Sequence, residues 1–373
     1  MIVIVSYENY PDGSPGAIRN RSFAEAFAQM GKEVVIIHNG NYSSSSEDVS
    51  VESLYHDNRY NKLLFFAFRT ISKLKQLRKM GKLDAVVVYS AGLIWSFWLI
   101  KWWCLMNKIV FVCDVVEWYS PEQFKNGKFS PNYIEKDFMN RIVVDHRCRV
   151  IAISRYLEQY FASKGCPTVR IPIIFSQKNV YTSKPCDIEK RSFIYAGSHL
   201  KMDNIPLILR SLLLLSEEER KKISFHIFGM TNERIDSEMG EPITAKLGGS
   251  LNVYGRRPNS EVLECYQKAD FCVMFRNPVL RVNRAGFPSK VIESMLMGVP
   301  VFCNISSDLG DFLKDGDNAV VTSLSAETIA EGFRKILAMT YDEVCSMKDA
   351  AKQSVENHFS YKNYVSQFEK ITQ

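Results

Sequence analysis

The run from Ala285 to Pro300, AGFPSKVIESMLMGVP, concentrates residue types suited to a phosphorylated ligand. Gly286 and Pro288 open a helix there, and Gly298 and Pro300 close it. Val291, Ile292, Met295 and Leu296 fall on one apolar face, which must turn toward a sheet. Ser289, Lys290 and Glu293 fall on the other, with Ser289 and Lys290 in the first turn. Free N–H groups at a helix start favour an anion, and Lys290 adds a full positive charge. One turn on, the Glu293 carboxylate is placed to accept hydrogen bonds from both hydroxyls of a ribose. Phosphate at the helix start and ribose one turn along fit a nucleoside diphosphate. A plain i,i+3 surface pair of Lys290 with Glu293 fits the same spacing.

Three further clusters invite chemistry. Arg276, Arg281 and Arg284 lie just before that helix and suit either a phosphate pocket or a solvated loop. Gly13, Ser14 and Gly16 precede a helix carrying Arg19 and Arg21. A glycine loop before a helix can cradle phosphate, but this is not G-x-G-x-x-G and no Walker lysine follows, so a strand-to-helix turn fits equally. After KIVFVCD comes VVEWYSPEQF, which puts Asp114 and Glu117 at a strand end. These carboxylates could orient an acceptor hydroxyl or take its proton, or Asp114 could cap the next segment and Glu117 lie exposed. Histidines are few and scattered, which gives no support to a His-based metal site or a Ser-His-Asp triad.

These residues need a scaffold, and the chain alternates strand-like and helical runs throughout, the signature of a parallel sheet covered on both faces. MIVIVSY, EVVIIH, DAVVVYS, KIVFVCD, RVIAIS and VRIPII are the strands of the first half, with a helix over Ala17 to Met30. SSSSEDVS reads as a mobile polar loop. The pattern lapses around residues 176–191, where the domain boundary is expected. A second series follows: SFIYAGS, ISFHIFG, LNVYG, FCVMF, PVFCN and NAVVT, with helices at Ile205–Glu219, Ser260–Ala269 and Ser325–Ala338. The expected domains are residues 1–178 and 185–354, both α/β and doubly wound, facing a cleft. A last helix, within 355–373, is expected to cross back onto the first domain.

Length and composition agree: 373 residues suit two domains, and 46% hydrophobic with 24% charged residues suits real cores. Nine cysteines, none in a C-x-x-C pair, read as buried thiols in a reducing compartment. The start MIVIVSY reads as a strand, not a signal peptide. Net charge is +6, and residues 58–83 hold eight Lys or Arg with no acid. Leu64, Phe68, Ile71 and Leu74 recur there at helical spacing beside Lys73, Lys75, Arg78 and Lys79. A basic amphipathic helix of this kind suits an anionic membrane surface, or simply a solvated face. The window Ala91–Met106 is apolar but too short to span a bilayer and reads as a core helix, though its tryptophans also suit a lipid interface. A nucleic-acid partner is not expected, because no binding motif accompanies the single basic patch.

The 285–301 run resembles the donor-binding signature of glycosyltransferase family 4, the group 1 enzymes of GT-B fold. Gly286 and Phe287 match its G-F, Glu293 its second glutamate, and Gly298, Pro300 and Val301 its G-x-P-V. Val253–Tyr254–Gly255 and the following Arg256, then Tyr266 and Ala269–Asp270, resemble the elements beside the nucleotide base. Gly316–Val321 and Ser325–Leu337 resemble the turn and helix that follow, and Tyr10–Ile37 the first loop, helix and second strand. The likeness covers most of the chain in the right order. There are departures: Ala285 stands in place of the first glutamate, and Cys113 and Asp114 where many relatives have a histidine. Ser198 and Asp203 follow Tyr195–Ala196–Gly197, where the family carries an arginine and a lysine that clamp the diphosphate. A subgroup with F-P-S-K before the glutamate is closer, and by analogy Arg276 and Lys290 would supply the charge.

The resemblance implies transfer of a sugar from a nucleoside diphosphate, UDP above all, to a hydroxyl with retention, needing neither cofactor nor metal. It implies donor contacts from Gly16, Gly197, Gly255, Arg256, Arg276, Phe287, Pro288, Ser289, Lys290 and Glu293. The expected acceptor is a glycan or lipid-linked glycan, and the expected location the cytoplasm, peripheral on the inner membrane face. A GT-B sugar-nucleotide epimerase and a catalytically silent partner subunit are the alternatives.

Overall fold

The computed structural model describes residues 1–11, 14–46, 48–175 and 189–373. Gly13 and most of the expected boundary segment lie outside them. The chain divides into two compact units, one of Met1–Gln177, Ala285–Phe287 and Phe359–Gln373, the other of Lys178–Arg284 and Pro288–His358.

The first unit runs β1 (Ile2–Ser6), α1 (Pro15–Gln29), β2 (Val34–His38), β3 (Ser44–Ser45), β4 (Val49–Ser53), α2 (Arg59–Leu64), α3 (Phe66–Met80), β5 (Ala85–Val88), α4 (Ile94–Met106), β6 (Val110–Val115), α5 (Pro131–Phe138), β7 (Arg149–Ala152), α6 (Arg155–Ser163) and β8 (Thr168–Arg170). Its sheet has the order β3-β4-β2-β1-β5-β6-β7-β8, parallel except at β3. Central strands IVIVS, VVIIH and AVVV are buried along their whole length, as strands covered on both faces must be. The C-terminal helix Val365–Thr372 closes this core: Phe368 sets its ring 4.8 Å from both Phe23 and Phe27 of α1. Each such buried aromatic contributes about 1.5–3 kcal/mol.

Two local expectations fail here. SSSSEDVS is not wholly loop, because Ser44–Ser45 and Val49–Ser53 form strands and Val51 enters the core. The alternation of Val49 and Val51 outweighs the polarity of the neighbouring serines. The basic stretch breaks at Phe65 into two helices, and α3 buries Phe66, Thr70, Leu74 and Leu77, while Leu64 and Phe68 are exposed.

The second unit continues with β9 (Arg191–Ala196), α7 (Ile205–Leu213), α8 (Glu217–Lys221), β10 (Ile223–Phe228), α9 (Asn232–Met239), α10 (Ile243–Leu247), β11 (Leu251–Val253), α11 (Asn259–Lys268), β12 (Phe271–Met274), α12 (Arg281–Ala285), α13 (Ser289–Leu296), β13 (Val301–Cys303), β14 (Ala319–Val321), α14 (Ala326–Leu337) and α15 (Tyr341–Phe359). The single helix expected over 205–219 is two, because Ser216 and Glu219 form a capping box that starts α8. The parallel sheet has the order β11-β10-β9-β12-β13-β14. Strand order therefore reverses between β9 and β12, and the crevice at their C-terminal ends is where such sheets bind ligands.

Candidate functional site

At that switch point three segments of the second unit converge. Tyr195, the residue before the last of β9, is fully buried, and the loop after the strand carries Gly197 and Asp203. Arg276 follows β12, where Asn304 clamps its backbone: Arg276 N donates to Asn304 Oδ1 at 2.8 Å and Asn304 Nδ2 donates to Arg276 O at 2.8 Å. Lys290 stands in the first turn of α13, which Val291, Ile292 and Met295 bury against the sheet.

Asp203, fully buried, joins them. It accepts from Arg276 Nε at 2.8 Å on Oδ1, and from Lys290 Nζ and Tyr195 Oη, each at 2.7 Å, on Oδ2. Burial alone would raise its pKa, but the charges of Arg276 and Lys290 and the bonds from Lys290 and Tyr195 bring it down to about 2. Asp203 is thus ionised at neutral pH, and two cations meet one anion. His199 in the same loop has its pKa lowered by desolvation and by the Lys290 charge.

Gly197 permits this approach. A Cβ there would lie 2.6 Å from both Lys290 Nζ and Tyr195 Oη. Gly255, in the left-handed region at φ +67°, accepts from the N–H of Gly229 at 2.6 Å, tying the ends of β10 and β11 together. Tyr254 stacks on Phe228 at 4.6 Å and its hydroxyl lies 2.8 Å from His226 Nδ1. Arg256 is exposed, and Pro288 precedes the first turn of α13.

Glu293 is exposed, one turn beyond Lys290. Although its side chain reaches the surface, the protein packed around it raises its pKa, countered by a hydrogen bond with Ser289 and by the charge of Lys290. The ion-pair partner of Lys290 is Asp203, so the simple surface pair of Lys290 with Glu293 is not what the fold builds. Arg281 and Arg284 stand on α12.

Three sequence-level assignments need correction. Asp114 cannot serve as an acceptor base: its carboxylate takes both Arg19 Nε at 2.7 Å and Arg19 Nη2 at 2.8 Å and is inaccessible. Arg19 also donates to the carbonyls of Ile171 and Pro172, so the pair is a closed structural unit. Gly16 does not leave a vacant anion cradle, because a Cβ there would lie 2.3 Å from Glu8 Oε2 and 2.7 Å from the Tyr89 ring. A carboxylate and a ring already stand against that helix start. Phe287 is buried with its ring 5.9 Å from Phe359, which makes it a packing residue.

The first unit holds its own cavity of about 370 Å³ at the ends of β5 and β6, lined among others by Tyr89, Glu117, Tyr119 and Glu135. Glu117 lies 3.6 Å from Lys136, and burial, then the Lys136 charge in opposition, raises the Glu135 pKa. Among the described residues no group of three or more His, Cys, Asp or Glu is placed to hold a metal ion. No helix among them is long and apolar enough to cross a membrane.

The sequence reading missed the hub role of Asp203, registering it only as a misplaced acid, and missed Asn304 and Gly229 altogether. An acid after a glycine-ended strand, at a place where the resembled family carries a lysine, was the one available signal.

Comparison with known proteins agrees with this fold. Residues 182–354 match the family model described as "Glycosyl transferases group 1". No curated protein matches the chain by sequence. Among solved structures it is similar to HepE of Anabaena in complex with UDP and glucose, at 13% identity and TM-score 0.66, covering 99% of this chain and 98% of that one. Sucrose-phosphate synthase from Thermosynechococcus elongatus aligns at 14% identity and TM-score 0.69, covering 99% and 97%. WaaG, a glycosyltransferase involved in lipopolysaccharide biosynthesis, aligns at 12% identity and TM-score 0.64, covering 99% and 98%. The chain thus has the GT-B fold of these glycosyltransferases, and its second unit carries the group 1 match.

Proposed function

We propose that the protein transfers a sugar from a nucleoside diphosphate sugar, UDP-linked, to a hydroxyl of a glycan or lipid-linked glycan, with retention of configuration. The observation that carries this is the convergence of Lys290 and Arg276 at the start of α13, one turn before the exposed Glu293. Lys290, Arg276 and the helix start meet the diphosphate and stabilise the charge that builds on it as the sugar–phosphate bond breaks. Glu293 receives the ribose hydroxyls, and the Tyr254–Gly255 segment lies beside the base. The UDP held by HepE and the lipopolysaccharide role of WaaG support donor and acceptor class respectively.

The cavity of the first unit favours transfer over epimerisation, which needs no acceptor pocket. Glu117 and Glu135 are the carboxylates that remain in its lining, now that Asp114 is committed to Arg19, and Glu117 is the one assigned to orient an acceptor hydroxyl. As the resemblance implies, no metal or cofactor is assigned. The same unit presents exposed Phe65, Phe68, Trp98, Phe138 and Ile142, and its α3 carries exposed cations, which supports a peripheral place on the anionic inner face of the cytoplasmic membrane.

Glu293→Gln tests the donor reading. UDP binding, followed by calorimetry, weakens by about 1.5–3 kcal/mol with little change in melting temperature. In 2′,3′-dideoxy-UDP the substitution costs much less, because the partners of the carboxylate are gone. Additive losses would mean that the carboxylate and the ribose never meet. A panel of UDP-sugars with glycan acceptors then reads the transfer itself.

A further inference from the structure

Resting on the donor-site reading, we infer that Asp203 is a positioning residue that fixes Arg276 and Lys290 as one diphosphate clamp. It stands where the resembled family presents a lysine, so the charge of that position is inverted here. The geometry shows what the inversion does. One carboxylate oxygen holds Arg276 and the other holds Lys290, two cations brought from the end of β12 and the start of α13. A third bond, from Tyr195, leaves the carboxylate no freedom to turn.

The loop itself is pinned. Asp203 N donates to His199 O at 3.0 Å, and Asn204, at φ +47°, donates through Nδ2 to Phe275 O at 2.9 Å. That bond ties the loop after β9 to the residue just before Arg276. Asp203 is therefore fixed to both strand ends that flank the switch point.

The clamp is not consumed by its counter-ion. Arg276 meets Asp203 through Nε alone, which leaves its two terminal amino groups for another anion. Lys290 spends one of three N–H bonds on the carboxylate. Their side chains are 12% and 17% exposed, against none for Asp203. Two cations and one carboxylate leave one net positive charge, pre-aligned and partly open, to face a diphosphate.

A carboxylate that merely neutralised charge would weaken phosphate binding, and its removal would strengthen it. A carboxylate that positions the cations has the opposite signature, which makes the sign decisive. The experiment measures UDP and uridine binding by calorimetry in wild type, Asp203→Asn and Tyr195→Phe. In Asp203→Asn, UDP affinity falls by about tenfold or more while uridine affinity holds, since only the phosphates meet the clamp. Tyr195→Phe, which changes no charge, gives a smaller loss of the same kind and decides the matter should the asparagine variant fail to fold. Equal or tighter UDP binding in Asp203→Asn, parallel losses for UDP and uridine, or unchanged UDP binding in Tyr195→Phe overturns the inference alone. A wild-type protein that binds no UDP overturns the donor reading and the inference with it.

Discussion

Each unit buries an aspartate near the C-terminal ends of its central strands, and the two do opposite things. Asp114 of the first unit faces a single guanidinium, which grips both carboxylate oxygens and gives two further N–H groups to the carbonyls of Ile171 and Pro172. The charge closes, four of the five guanidinium N–H groups are spent, and neither side chain is open to a ligand. Asp203 of the second unit faces two cations on separate elements, each with donors left over. The residue type and its burial are the same in both. Stoichiometry and residual donors decide that one assembly is structural and the other can bind an anion.

The largest effect that could break this comparison is on stability. Asp114→Ala leaves the Arg19 guanidinium, 5% exposed, without its counter-charge, and should cost about 3–5 kcal/mol of unfolding free energy in urea titration. A variant as stable as wild type would mean that the pair is not a closed structural unit.

Acid sharpens the other half of the comparison. Asp203 has its pKa depressed from 3.8 to about 2, so it binds fewer protons folded than unfolded. Its stabilisation is fully present above pH 4 and is lost as pH falls toward 2, amounting to about 2 kcal/mol. Asp203→Asn should flatten the stability profile across that window, and an unchanged slope would show that the hub does not hold its charge.

The smallest effect concerns the surfaces. Lys75 and Lys79 are exposed on α3, whereas Lys73 pairs with Glu52 at 2.8 Å and Arg78 bonds Asn107. Charge reversal of Lys75 and Lys79 should weaken binding to anionic vesicles by about 1 kcal/mol per lysine, read by sedimentation, with a loss that shrinks in high salt. Equal binding by wild type and variant would remove the membrane assignment from this helix.

The sequence was informative wherever one periodicity ran unopposed. Continuous apolar runs such as IVIVS and VVIIH mark buried parallel strands without ambiguity. Glycine and proline punctuation placed α13, and its apolar face placed Lys290 and Glu293 opposite the sheet. The serine-rich stretch and the basic helices were misread because short strands and helix breaks depend on what packs over them.

The sequence by itself determined the two alternating α/β series, their strands, and the helix that bears Lys290 and Glu293, because these follow from local spacing and solubility. It could not decide which charges meet. Arg19 and Asp114 lie 95 positions apart, and Asp203 lies 73 positions from Arg276 and 87 from Lys290. Only the parallel crossovers bring such residues to common strand ends, and only there does one aspartate find a single arginine and the other two cations. An ion pair of that range has no local signature, since its energy depends on burial and distance that exist only once the sheet has formed.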